Sequence, residues 1–233
     1  MSDNSAPFPF LRTAYLRAVA RSWHDEDYFR FLLAESAGPR GVLPHLEREF
    51  RFTFPFNVKL ELTDKQRPIW DPNFTTGWFG FGDDYALWLP ARPARMEDQA
   101  AVLARYYQEF PSLLGAATDG VSQAPVDFGE FGTVTMRLVA LAWENPKVRE
   151  QLYTSDDSRL LVQDALDYVV PWNFALKIRE AEGESSADND EYWSRFPRSH
   201  IRLHVPLRPP SLAVEAAALG AYNATGSQYP FSC

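Results

Sequence analysis

The feature that most constrains the fold of this chain is an internal repeat. Residues 54–62, Phe-Pro-Phe-Asn-Val-Lys-Leu-Glu-Leu, recur 116 positions later as residues 170–178, Val-Pro-Trp-Asn-Phe-Ala-Leu-Lys-Ile. Residues 85–93 recur at the same spacing as residues 201–209, and both segments end in Pro-x-Arg-Pro. Because self-similarity at a fixed spacing marks a repeated structural unit, the chain is predicted to contain two copies of one fold.

The repeat also covers a segment near the start of each copy. Residues 15–23 match residues 135–143 at an offset of 120, with Arg, Val, Ala and Trp in common. The change of offset falls at the Gly-Pro-Arg-Gly loop, residues 38–41. The two copies are predicted to span residues 13–110 and 133–223.

The spacing of apolar residues changes within each copy. Apolar side chains first recur every three or four residues, which is the period of an amphipathic helix. In residues 56–62 and 85–89 they alternate with polar ones, as in a strand with one buried face. We expect the two strands of each copy to pair. The fold class is therefore predicted to be α+β, with two tandem similar domains, each of about three helices plus a small antiparallel β-sheet.

The copies differ in the loop between their strands. Residues 179–200 contain an acidic run, which we expect to be a solvated loop. Residues 65–84 are instead rich in aromatic side chains, namely Trp70, Phe74, Trp78, Phe79 and Phe81. These rings could pack in a core or form an interaction surface, and the sequence leaves both interpretations open.

Composition and charge exclude several classes of protein. The chain has 45% hydrophobic and 23% charged residues, as expected of a globular protein. Its net charge of -8 disfavours nucleic acid as a partner, since such surfaces need clustered Lys and Arg. The sequence contains no uninterrupted apolar run of about 18 residues, so we expect a cytoplasmic protein without membrane insertion.

The candidate metal ligands are few. One Cys, Cys233, excludes an internal disulfide and a Cys-rich metal cage. His200 and His204 lie in one predicted strand, about 13 Å apart, which is too far to bind one ion. His24 and His45 belong to no metal-binding motif. We therefore expect no metal site and no cofactor.

The second copy resembles a family of ribosomally made, post-translationally modified peptides. The relevant segments are residues 142–152, Ala-Trp-Glu-Asn-Pro-Lys-Val-Arg-Glu-Gln-Leu, residues 170–178, and the strand ending at Pro206. They are similar to the nitrile hydratase alpha-subunit-like leader of bacterial precursors. In the first copy, residues 23–27 lack the Pro of this pattern, so the resemblance there is weaker.

The end of the chain, residues 221–233, looks like the core of Burkholderia-type thiazole/oxazole-modified microcin (TOMM), or bacteriocin, precursors. The resemblance implies an N-terminal tail (1–12), a first leader-like repeat (13–110), a linker (111–132), the leader proper (133–210), and a flexible core peptide (211–233). The leader is then expected to dock on a maturation enzyme, a cyclodehydratase or another modifying enzyme. The docking candidates are Trp143, Pro146, Pro171, Trp172 and Asn173.

In the resembling family, a cyclodehydratase joins a Cys sulfur to the preceding carbonyl carbon and removes water. In this chain the step would join Cys233 to the carbonyl of Ser232, and an oxidase could then aromatise the ring. Ser232, Ser227 and Thr225 are weaker candidates, because hydroxyls are poorer nucleophiles than thiols. A protease and an exporter would release the matured peptide.

Two other functions remain open. The chain lacks the cluster of cysteines with which nitrile hydratase holds its metal, so that activity is not expected. The duplicated domains could instead form a binding or scaffold protein that uses the aromatic loop, with Cys233 incidental. An enzyme whose site is too diffuse to recognise in one sequence is the third possibility.

If the chain is a precursor, its leader is expected to bind the maturation enzyme by strand addition, because an exposed two-stranded element has unpaired backbone groups.

Overall fold

The computed structural model describes residues 7–54, 58–74, 77–114, 126–170 and 174–225. The helices of the first repeat are α1 (Pro7–Ser22), α2 (Glu26–Glu35), α3 (Leu43–Phe50) and α4 (Gln99–Leu114), and its strands are β1 (Val58–Thr63), β2 (Ile69–Trp70), β3 (Trp78–Phe79) and β4 (Asp84–Leu89). The second repeat contains α5 (Val126–Glu144), α6 (Pro146–Thr154), α7 (Arg159–Leu166), β5 (Ala175–Glu180), α8 (Asp190–Ser194), β6 (Ser199–His204) and α9 (Leu212–Thr225).

The element order confirms the α+β class and the similarity of the two halves. Three helices, a strand, a long connection, a second strand and a further helix occur in the same order twice. Asp25 accepts a hydrogen bond from the backbone N–H of Tyr28 at the start of α2, and Asn145 caps α6 in the same way. Both caps follow from the preference of Asp and Asn for this position. The helices α1 and α4 extend beyond the predicted edges of the first repeat, to Pro7 and Leu114.

The pairing of the strands differs from the prediction. The expected antiparallel pairs within each copy, β1 with β4 and β5 with β6, do not form. One four-stranded sheet has the order β1-β6-β4-β5, in which β1 pairs with β6 and β4 with β5, both in parallel. The apolar alternation is the same in both copies. It therefore fixes which face of each strand is buried but does not choose between a partner from the same copy and one from the other.

The centre of this sheet has the symmetry of a twofold axis. Strands β4 and β6 are antiparallel, and Tyr85 lies opposite Ile201, the residue at the same position of the repeat. On either side, Asp84 pairs with Arg202 and Ala86 with His200. Such reciprocal pairing is the pattern of an isologous contact between two equivalent units.

The helices are exchanged in the same reciprocal way. The indole N–H of Trp23 in the first repeat donates to the carbonyl of Pro206 in the second, at 3.1 Å. The equivalent Trp143 donates to the carbonyl of Pro90 in the first repeat, at 3.0 Å. Helix α4 packs on α5, and α9 packs on α1. Each repeat therefore completes the hydrophobic core of the other.

The outer edges of the sheet are already hydrogen-bonded. The carbonyl of Leu60 in β1 accepts from the N–H of Val42 at 2.9 Å, and that of Leu176 in β5 accepts from Ser158 at 2.7 Å. Gly41, with a φ of 61°, permits the first contact, because a Cβ there would lie 1.8 Å from the carbonyl oxygen of Leu60. Strand addition at β1 or β5 would have to displace these bonds.

Among the described helices, none is long and apolar enough to cross a membrane.

The shared sheet predicts how the separated halves behave. Residues 1–114 and 126–233, produced as two chains, are each expected to be unfolded or self-associated, because either alone lacks half of the sheet and core. Mixed together, they are expected to form an equimolar complex with the circular dichroism of the full chain. A full chain cleaved at a protease site inserted within 115–125 is the control and should stay associated. A folded monomer of either half in light scattering would contradict the shared core.

Candidate functional site

The structure fixes the point from which the predicted modified tail begins. Thr225 is the last residue of α9, while Ser227, Ser232 and Cys233 lie outside the described residues. At the other end of α9, the hydroxyl of Ser211 accepts from the backbone N–H of Ala213 at 3.3 Å, as is typical of an N-cap. Residues 212–225 of the segment that was predicted to be a flexible core peptide therefore form a helix.

Helix α9 is anchored to the first repeat by an aromatic cluster. Tyr222 is fully buried, and its hydroxyl lies 3.0 Å from that of Tyr15. Its ring lies edge-on to Trp78, 5.5 Å between centroids, and stacks on Phe81 at 5.9 Å. The indole N–H of Trp78 donates to the carbonyl of Ala218 in α9, at 2.7 Å. Buried aromatic contacts of this size dominate packing energetics, so the origin of the tail is fixed relative to the fold.

Polar contacts fix both ends of α9. At its start, Glu215 accepts from Arg208 at 2.7 Å and lies 2.8 Å from the ring nitrogen of His24. The hydrogen bond from Arg208 holds the pKa of Glu215 below its usual value. At its end, the guanidinium of Arg12 donates to the carbonyl of Asn223. The tail therefore begins beside the N-terminal half of α1.

The aromatic loop of the first repeat forms the β2–β3 hairpin. Trp78 is buried and stacks on Trp23 with centroids 6.4 Å apart, and Trp70 lies 5.5 Å from Trp78. Gly77, with a φ of 75°, makes room for the Trp70 ring, because a Cβ there would lie 2.1 Å from it. Ile69, Phe74 and Phe79 are exposed. The core interpretation is therefore confirmed for Trp78, whereas the interaction surface stays a prediction for the exposed rings.

The loop of the second repeat contains residues that the sequence interpretation missed. The acidic run is followed by α8, which Asn189 caps by accepting from the N–H of Tyr192. Tyr192, Trp193 and Phe196 are buried, and Tyr106 of α4 packs on Trp193 and Phe196. This cluster holds α4 as the hairpin holds α9. The three closely spaced aromatic residues after the acidic run were the signal in the sequence that could have predicted this buried cluster.

The predicted docking residues have different environments. Trp143 is 3% exposed and bonded to Pro90, so its side chain is part of the core. Pro146 is exposed in the first turn of α6. Pro171, Trp172 and Asn173 lie outside the described residues.

Charged side chains on neighbouring strands form a row of ion pairs across the four-stranded sheet, here called the charge ladder. Arg202 donates to Glu61 at 2.9 Å and to Asp84 at 3.3 Å, and Asp84 accepts from Lys177 at 2.8 Å. Burial alone would raise the pKa of Glu61, but the hydrogen bond from Arg202 and the neighbouring positive charges hold it below its usual value. Opposite charges on adjacent strands stabilise a sheet. The charge ladder therefore has a structural role in joining all four strands.

The histidines of β6 have separate partners. The ring nitrogen of His200 lies 2.9 Å from Glu61, and burial lowers the pKa of His200. The ring of His204 lies 3.2 Å from Asp83, whose carboxylate also accepts from the backbone N–H of His204 at 2.7 Å. Burial raises the pKa of Asp83. In the part of the chain that the structure describes, no group of three or more His, Cys, Asp or Glu could hold a metal ion.

The anchoring of α9 predicts the effect of removing Trp78. Trp78→Ala should lower the free energy of unfolding by about 3–5 kcal/mol, because it deletes a buried ring and its hydrogen bond to Ala218. Phe74→Ala in the same hairpin is the control and should lower it by about 1 kcal/mol or less, since Phe74 is 52% exposed. Urea unfolding measures both values. If both variants lowered the free energy of unfolding by the same amount, the assignment of inner and outer rings would be contradicted.

The comparisons with known proteins identify one family. A family model described as "ribosomal natural product, two-chain TOMM family" matches the chain twice, over residues 8–114 and 126–230. The first match covers the first repeat from α1 to α4, and the second covers the second repeat together with α9. No curated protein and no solved structure matches the chain.

Proposed function

We propose that this chain, which belongs to the two-chain TOMM family of ribosomal natural products, is the substrate of a maturation enzyme that modifies its C-terminal residues. Membership of the family makes the chain a precursor of a ribosomal natural product. The observation that carries the finer proposal is the anchored helix α9. It holds the start of residues 226–233 at one place on a fold whose two halves both match the family.

The proposed reaction is cyclodehydration at Cys233. The sulfur of Cys233 bonds to the carbonyl carbon of Ser232, and the carbonyl oxygen leaves as water with one hydrogen from the sulfur and one from the Cys233 nitrogen. The product is a thiazoline, and an oxidase that removes two further hydrogens gives a thiazole. A free thiol has a pKa near 8.5, so a small thiolate fraction is available at neutral pH. Ser232, Ser227 and Thr225 are the secondary candidates.

The shared fold is proposed to act as the leader that the maturation enzyme recognises. Because the two repeats complete each other's core, the recognised unit is the whole of the described fold rather than the second repeat alone. Pro146 is exposed and available for a direct contact, whereas Trp143 would act by positioning α5 and α6. Pro171, Trp172 and Asn173 complete the proposed docking set.

We propose that the chain is matured in the cytoplasm, that a protease then cleaves it, and that the modified peptide is exported.

A duplicated binding module is the second candidate function. It is favoured by the exposed rings of Phe74 and Phe79, which lie 5.4 Å apart on the β2–β3 hairpin. Truncation after Thr225 separates the two functions, because it removes Cys233 and keeps the α9 contacts of Tyr222 and Glu215. Truncation after Pro210 would also remove those contacts and destabilise the fold.

The proposal predicts a defined change of mass in the native producer. The peptide that contains Cys233, isolated from those cells, is expected to lack one water, or one water and two hydrogens. Fragmentation should place the loss at Ser232–Cys233, and Cys233→Ala should abolish it. Cys233→Ala should not affect folding, because the variant retains every contact of α9. An unmodified mass with an alkylatable thiol would contradict the precursor proposal and favour the binding module.

A further inference from the structure

We infer that Ile69, Phe74 and Phe79, here called the hairpin patch, form the surface on which the maturation enzyme docks. The inference rests on the proposed function, and it adds a docking surface in the first repeat to the set proposed in the second. The patch lies on the outer side of the hairpin whose inner side holds α9.

The two sides of the hairpin arise from strand geometry. Successive side chains of a strand point to opposite faces. Ile69 pairs with Phe79 and Trp70 with Trp78, so the first pair faces outward when the two Trp rings face the core. The exposed fractions of Ile69, Phe74 and Phe79 are 43%, 52% and 36%. Their proximity makes the patch continuous, with Phe74 and Phe79 centroids 5.4 Å apart.

The patch is held in place by its own backbone. The N–H of Phe74 donates to the carbonyl of Asp71 at 3.0 Å, and the carbonyl of Phe74 accepts from Gly77 at 2.9 Å. The N–H of Asp71 donates in turn to the carbonyl of Gly77, at 2.9 Å. Because the backbone of Phe74 is hydrogen-bonded on both sides, binding need not order it, which favours the use of this ring as a contact residue.

The second repeat forms the corresponding segment differently, as a connection that contains α8 instead of a hairpin. The residues 116 positions later are Ser185, Asp190 and Arg195. Ser185 is buried and donates to the carbonyl of Ala91 at 2.6 Å, while Asp190 and Arg195 are exposed. Exposed aromatic rings in this segment are therefore a feature of the first repeat that the second repeat does not share. Clustered exposed aromatic residues disfavour solubility, and such patches mark interaction sites.

The reach of the tail favours a modifying enzyme as the occupant. Seven residues lie between Thr225 and Cys233, so the reacting carbonyl of Ser232 lies at most about 25 Å from the end of α9. Tyr222, less than one turn before Thr225, contacts Trp78, and Phe79 follows Trp78 in β3. The patch is therefore on the order of 15 Å from the start of the tail. An enzyme seated on the patch can bring its active site within reach of Cys233.

The experiment compares two variants with wild type in the native producer. The patch variant is Phe74→Ser/Phe79→Ser, and the control is Leu160→Ser, which removes an apolar side chain that is 72% exposed in α7 of the second repeat. We expect the ratio of modified to unmodified C-terminal peptide to fall at least tenfold in the patch variant and to stay at the wild-type value in the control. The urea unfolding of both variants is measured, and modification is compared under conditions in which each variant is fully folded.

A competition measurement separates docking from reaction. In an extract of the producer, excess full chain with Cys233→Ala and an intact patch should inhibit modification of wild type. The same competitor carrying Phe74→Ser/Phe79→Ser should not inhibit it. Inhibition by both competitors would overturn the inference.

The outcomes distinguish this inference from the proposed function. If wild type is unmodified, both are overturned. If wild type and the patch variant are modified equally, only the docking surface is overturned. If the patch variant changes the chain from dimer to monomer in light scattering and is still modified normally, the patch binds a second copy and the inference is overturned.

Discussion

The antiparallel pairing of β4 with β6 is the interaction on which the rest of the structure depends. It places Tyr85 opposite Ile201, its equivalent in the other repeat, and brings β1 and β5 to the two edges of one sheet. The chain is therefore a fused, intertwined pair rather than two independent domains. Because the sheet, the tryptophan hydrogen bonds and the terminal helices are all exchanged, neither repeat contains a complete core.

This exchange has a direct consequence for the C-terminal residues. In both repeats the last helix packs on the other half of the molecule, through Tyr106 in α4 and Tyr222 in α9. In the first repeat that helix is followed by the connection to α5, and in the second by residues 226–233. Helix α9 is therefore held by the first repeat as α4 is held by the second. The first repeat supplies the aromatic hairpin that anchors the tail-bearing helix.

The sequence predicted local structure well and strand partners poorly. The helices around Trp23 and Trp143 and the alternation in the strands are present as predicted, and the caps at Asp25 and Asn145 follow from the same local preferences. The partner of β1 could not be predicted, because two copies with one pattern offer two equivalent solutions. The buried cluster of Tyr192, Trp193 and Phe196 was missed since the acidic residues before it suggested a solvated loop. The resemblance identified the family through short motifs, and the hairpin patch was visible only once Trp70 and Trp78 were placed inside.

In the proposed mechanism, a folded scaffold presents a short tail to its modifying enzyme. Its most direct test compares two substrates in one producer extract, the full chain and a synthetic peptide of residues 226–233, at equal concentration. The account predicts that water is lost from the tail of the full chain and that the free peptide reacts at least tenfold more slowly. Equal rates for the two substrates would contradict the account, because the fold would then contribute nothing to recognition.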